Sequence, residues 1–200
     1  MDFTPKILNQ TGNPYDNTEK FTLLGVDLVT DNIKGINFAT YINSCIQKAY
    51  KSLWILRRLA EFGASIEELY ITYKLRIRTH IEQNAPLWMF SLTQELKKKI
   101  ERVQKISLYV ILGKEAHEDY LCNLAILNAQ PLEERRQKIA LKFASNILKH
   151  PEHRKIFSYT GENTRSKKTV VVPFTRTVRY QKSTVPALAQ LINQKLAHKI

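Results

Sequence analysis

The sequence predicts a mainly α protein: a helical bundle preceded by a short N-terminal β-hairpin-like segment and followed by a basic, partly extended C-terminal tail that ends in a helix. Three observations carry this. Apolar residues recur at steps of three and four from about Asn37 to Gly113 and again beyond it, which is the period of one buried helix face. Capping and turn-forming residues fall between those runs, not inside them. Only residues 1–36 hold a short β-prone run bounded by glycines.

In that opening segment Pro5, Gly12, Asn13, Pro14, Gly25 and Gly35 punctuate turns. Between them Phe21-Thr-Leu-Leu-Gly-Val-Asp-Leu-Val29 reads as one strand, or as two short strands pivoting near Gly25. From about Asn37 the stripe Phe38, Ile42, Cys45, Ala49, Leu53, Leu56 and Ala60 predicts a long helix, with Gly63 just past its end. Ser65 and Glu68 form a capping-box pattern for a second helix, whose buried face is Ile66, Leu69 or Tyr70, Tyr73, Ile77 and Ile81. Pro86 stops or kinks it.

Thr93 caps a third helix. Leu96, Ile100, Val103, Ser107 and Val110 are its inner face, and Gly113 ends it. A short acidic helix is expected around Glu118 to Leu127. Pro131 suits the first turn of another, with Glu133 and Glu134 at its N-terminal end, Lys149 at its C-terminal end and Pro151 closing it. Residues 158–183 read as an extended basic connector. Ser183 or Thr184 with Pro186 starts a last helix carrying Leu188, Leu191, Ile192 and Leu196. The expected segments are therefore 1–36, 37–113, 114–157 and 158–200.

The 44% hydrophobic content is enough for a packed core, whereas a net charge of +13 is unusual for a chain of 200 residues. Such a protein repels itself and attracts polyanions, so nucleic acid leads the expected partners. Cys45 and Cys122 lie in apolar helical patterns and are expected to behave as small hydrophobes. With no disulfide framework, an intracellular setting, nucleus or cytoplasm, is expected. No apolar run is long enough for a membrane span, and residues 1–10 lack a signal pattern.

The charge is unevenly placed. From Gly161 onward, eight cations (Arg165, Lys167, Lys168, Arg176, Arg179, Lys182, Lys195 and Lys199) stand against Glu162 alone. That tail is either an electrostatic hook for phosphates or a solvated connector. On the third helix, Lys98, Arg102, Lys105 and Tyr109 follow spacings of four, three and four, opposite the apolar stripe. This ridge can track a phosphate backbone with a ring at its end for stacking. The alternative is an ordinary solvated face, with Glu95 and Glu101 offsetting the charge. Further cationic clusters are Lys51, Arg57 and Arg58 beside Trp54, which is read as a packing residue, and Lys74, Arg76 and Arg78.

Residues for catalysis are sparse. His150 and His153 are interrupted by Pro151, His117 and Cys122 lack partners, and the Asp27/Asp31 pair has a spacing common in loops. No glycine-rich phosphate loop is present. No catalytic or metal-ligating set is assigned, and no cofactor is expected in this chain.

Six segments, in order, carry a resemblance. They are Phe21-Thr-Leu-Leu-Gly-Val26; Leu53-Trp-Ile-Leu-Arg-Arg-Leu59 followed by Phe62-Gly63; Glu82 with Pro86, Trp88 and Ser91-Leu-Thr93; Glu101-Arg-Val-Gln-Lys105 closed by Ile111-Leu-Gly113; Leu132-Glu-Glu-Arg-Arg136 with Leu141-Lys-Phe-Ala144 and Pro151; and Arg179-Tyr180 with Ser183, Pro186 and Leu191-Ile-Asn193. From about Lys20 to Asn193 the chain resembles the region downstream of the palm in reverse transcriptases of non-LTR (LINE-type, jockey and CR1-like) retrotransposons. It departs from the family where Gln83-Asn84-Ala85 stands for Tyr-Ala-Cys and Met89 for a histidine.

The resemblance implies a fragment of an RNA-directed DNA polymerase whose metal-binding aspartates, and the Mg2+ they hold, belong to a palm upstream of the matched segment. Leu24, Gly25 and Val26 would correspond to a primer-grip hairpin, and residues 37–113 to a thumb-like helical domain beside the template–primer duplex. The opening strands, without palm neighbours, would be the least stable part. Lys98, Arg102 and Lys105 lead the expected nucleic-acid contacts, then Arg57, Arg58, Lys74 and Arg78. The alternatives are a helical module that binds an acidic protein partner and a decayed, functionless remnant.

Overall fold

Residues 20–23, 25–31, 35–158 and 170–197 are described by the computed structural model. The chain divides into two units, Met1–Tyr41 and Ile42–Ile200. In the first, β1 (Lys20–Leu23), β2 (Val26–Asp31) and β3 (Gly35–Asn37) form an antiparallel sheet in the order β1-β2-β3. The pairing of Leu23 with Val26 leaves a two-residue turn, where Gly25 takes φ +77°, a conformation that costs glycine little. Asp27 fixes the register: it accepts from Thr22 Oγ1 at 2.7 Å and pairs with Lys20 at 3.2 Å. Leu24 lies outside the described residues. The third strand was not expected, and it defers the first helix to Ala39, whose N–H donates to Asn37 Oδ1.

The first helix, α1 (Ala39–Glu61), buries Ile42, Cys45, Ala49, Leu53 and Leu56 as expected, and Gly63 follows it at φ +81°. The capping box forms in full: Glu68 N–H donates to Ser65 Oγ at 3.3 Å, and Ser65 N–H donates to the Glu68 carboxylate at 2.9 Å. It opens α2 (Ile66–Thr72), which runs through a π-helical stretch (Tyr73–Ile77) into α3 (Arg78–Glu82). The wide turn has a packing consequence. Residues four apart drift by about 40° per step in a regular α-helix. The π stretch, where Arg78 N–H bonds Tyr73 O, takes up that drift, so Leu69, Tyr73, Ile77 and Ile81 are all buried.

The helix ends through extended Gln83 and left-handed Asn84. Pro86 lies beyond that break, in the first turn of α4 (Ala85–Trp88), so it does not itself form the kink. Trp88 is buried, and its Nε1–H donates to Gln83 O at 2.9 Å. The next helix, α5 (Gln94–Leu112), starts at Thr93, which accepts from Leu96 N–H, and ends at Gly113. Its buried face is wider than the expected stripe: Gln104, Leu108, Ile111 and Leu112 are buried as well, and Val110 only partly.

Asp119 caps α6 (Tyr120–Ile126). Pro131 is the N-cap of α7 (Leu132–Lys149), one residue before the first turn. Pro151 opens the short α8 (Pro151–Arg154). The expected connector contains a helical turn, α9 (Val178–Gln181), and α10 (Thr184–Ala197) follows. Within the second unit α7 packs on α4 and α5, and α10 packs on α7 and α4. The described residues of the expected segments 114–157 and 158–200 therefore lie in the same unit as most of 37–113. Two clips seat the tail: Asn193 Nδ2 donates to Val170 O at 2.7 Å, and Val171 N–H donates to Ser158 O at 2.8 Å.

Candidate nucleic-acid interface

The α5 ridge begins with the pairing of its own cations. Lys97 turns to Glu133 on α7 at 2.7 Å, and Lys99 reaches back one turn to Glu95 at 2.6 Å. Lys98, Arg102 and Lys105 are exposed and form no ion pair with a described residue. The two carboxylates expected to offset the ridge are occupied elsewhere. Glu95 holds Lys99. Glu101 accepts from Glu133 N–H, from Arg136 at 3.4 Å and from the Tyr120 hydroxyl at 3.0 Å. The ridge is thus a row of three unneutralised cations on a rigid helix. Tyr109 does not end it as a free stacking ring, because the ring is half-buried and its hydroxyl donates to Glu118 O at 3.2 Å.

The other expected contacts differ among themselves. Arg57 is exposed and unpaired, whereas Arg58 pairs with Glu61 at 2.7 Å and lies 5.7 Å from the Trp54 ring centre. Trp54 is 63% exposed, so its reading as a packing residue is overturned: α1 turns it away from the Leu53/Leu56 face. Lys74 sits 4.6 Å from the Tyr70 ring centre. Arg78 is half-buried against Glu82 at 3.6 Å. Arg76 is the exposed cation of that group, and with Lys48 of α1 it opposes protonation of His80, after the larger effect of burial. Gly25 and Val26 lie at the β1–β2 turn, with Val26 buried.

The structure also contains a polar cluster that reading the sequence missed. Glu82 receives both Nε and Nη2 of Arg135, at 2.6 and 3.1 Å, joining α3 to α7. Arg136, 1% exposed, reaches Glu101, and burial pushes its pKa down against the pull of Glu101 and Glu133. The Tyr120 hydroxyl shares its one proton between Glu101 and Gln104 Oε1, the latter at 2.6 Å, while Gln104 Nε2 donates to Gln130 O. Burial and Glu101 together push the Tyr120 pKa well above the ordinary phenol range. Arg136 Nη1 and Tyr73 Oη are buried without a hydrogen-bond partner. One sequence signal pointed here: Leu132, Arg136, Ala140 and Ala144 recur every four residues, so a charge stands in an apolar row.

Among the described residues, no group of three or more His, Cys, Asp or Glu side chains is placed to hold a metal ion. His150 and His153 meet edge to face at 5.6 Å. Cys45 is buried, but Cys122 is exposed at the α6 N-terminus, 3.6 Å from Asp119, and so is not the small core hydrophobe expected. No described helix is long and apolar enough to cross a membrane. Comparison with known protein families, curated proteins and solved structures gave no match.

Proposed function

We propose that this chain is a non-catalytic nucleic-acid-binding module that grips the phosphate backbone of an RNA–DNA hybrid or duplex through α5. It would be the part downstream of the palm in a non-LTR retrotransposon reverse transcriptase. The observation that carries the reading is the set of three exposed, unpaired cations Lys98, Arg102 and Lys105. They lie on one face of a helix whose remaining charges are all internally paired. Backbone contacts of this kind position a duplex without reading its sequence. Within the other two cationic clusters, Arg57, Arg76 and Lys51 are exposed and form no ion pair with a described residue. Lys74, Arg58 and Arg78 are each held by a neighbour and contribute less.

The test is binding of the purified chain to a labelled RNA–DNA hybrid over a salt series, with duplex DNA and single-stranded RNA as competitors. Replacing Lys98, Arg102 and Lys105 together with Ala is expected to weaken binding. It should also reduce the slope of log K against log salt by about 2 to 3. Unchanged affinity and slope would rule out the ridge.

A second reading, a helical module for an acidic protein partner, is favoured by the exposed apolar side chains of Phe62, Leu75 and Ile71. Absence of hybrid binding at moderate salt would put it first.

A further inference from the structure

The outward face of α1 has a composition that neither the ridge nor the core explains. Tyr50, Trp54, Arg57, Arg58 and Lys51 fall on one side of the helix at steps of three and four, opposite the buried Ala49, Leu53 and Leu56. Trp54 is at the centre of that face and Tyr50, 38% exposed, is one turn before it. A solvated helix face has little use for two large rings, and exposing them forgoes the gain from burying apolar area. The charges of α1 itself are all positive except Glu61, which is taken up by Arg58. Arg58 lies 5.7 Å from the indole centre, inside cation–π range, and yet leaves most of the ring accessible.

Rings in series flanked by unpaired cations are the chemistry that holds a single strand: each base offers a π-face to a ring, and each phosphate a charge to a neighbouring Lys or Arg. A duplex cannot use the rings, because its bases are stacked on each other. A protein partner that covered the rings would need to bring carboxylates for Lys51 and Arg57, whereas a single strand supplies both features along one chain.

We infer that the α1 face is a second site, distinct from the α5 ridge, which binds single-stranded nucleic acid by stacking bases on Trp54 and Tyr50 with Lys51 and Arg57 on the phosphates. The inference rests on the nucleic-acid reading above and adds to it an unpaired strand as ligand.

The two tryptophans make the test direct. Trp88 is 1% exposed and its indole N–H is bonded to Gln83, so it does not respond to a surface ligand. Trp54 does. The full chain is titrated with short oligo(dT) and oligo(U), following tryptophan emission and the anisotropy of the labelled oligomer, with the RNA–DNA hybrid run in parallel. The expected result is quenching by the single strands. Trp54→Ala should abolish the quenching and weaken single-strand binding about tenfold, with hybrid affinity retained. Trp54→Phe should restore most of the binding. Comparison of the two oligomers shows whether DNA or RNA is the preferred source of the strand.

If the hybrid binds but the single strands cause no quenching and Trp54→Ala leaves their affinity unchanged, the α1 site is wrong and the ridge stands. If no nucleic acid binds the wild-type chain, both readings fall. Equal loss of hybrid and single-strand binding in Trp54→Ala would also overturn the inference, because it makes the two surfaces one.

Discussion

Arg136 occupies a row of α7 otherwise made of Leu132, Ala140 and Ala144. Removing its guanidinium would leave Glu101 short of a cation in a half-buried setting and open a void beside Tyr120. Arg136→Ala is expected to cost about 3 kcal/mol in urea unfolding. Arg136→Met refills the volume but leaves Glu101 equally short of a cation, so it is expected to recover only the packing share of that loss. Equal losses in the two variants would show that the missing ion pair, and not packing, sets the value. The ridge residues Lys98, Arg102 and Lys105 were legible in the sequence because face and period are local properties. Trp54 was not, because α1 carries apolar residues on more than one side and nothing local says which side a neighbour will cover. The half-burial of Arg78 was not legible for a related reason. Its partner Glu82 is four residues away, but the half-burial of the pair comes with Arg135, from a helix far along the chain.

Helix starts were the most legible elements, since a cap is a matter of two or three residues. Ser65 with Glu68, Thr93 and Gly113 all occupy the positions their chemistry suggests. Ser65→Ala is expected to lower stability by about 1 kcal/mol, read as a fall in melting temperature. A loss of less than a few tenths would mean that the Glu68 contact alone holds the turn. The π-helical stretch Tyr73–Ile77 left no sequence signature. Its cause is tertiary: four large side chains share one buried row, and the backbone widens to keep them in line. The strand β3 escaped notice because three residues cannot display a period, and two prolines marked helix starts where stops were expected.

At the scale of the molecule, several shifts set one pH profile. The folded pKa of His80 is lowered, by burial first and then by Lys48 and Arg76. The unfolded chain therefore takes up that proton first, and stability declines as pH falls through the ordinary histidine range. Glu133, held low chiefly by Lys97, and Glu95, held low by Lys99, stabilise the fold above the ordinary carboxylate range. That contribution is lost as pH falls through their lowered values. Tyr120 acts in the opposite direction. Its pKa is raised, so stability falls as pH rises beyond the ordinary phenol range near 10. The melting temperature is expected to be highest between about pH 7 and 9, with a first step down in the ordinary histidine range that His80→Gln removes. A flat profile from pH 7 to 5 in the wild-type chain would contradict the His80 account. The net charge of +13 was plain from composition. Which carboxylates would be withdrawn to leave α5 uncompensated depended on contacts between helices and was not.

The seating of α10 bears on what a break in the chain would do. Leu188, Ala189 and Ile192 are buried, the Thr184 hydroxyl donates to Leu87 O at 3.0 Å, and Asn193 grips the backbone of Val170. Val171 N–H also donates to Ser158 O. Among the described residues, the last helix is therefore attached by its own side chains and by the backbone at Val170 and Val171. Two separately made pieces, one ending at Ser158 and one starting at Val170, would carry these complementary surfaces and are expected to reassociate as a noncovalent pair.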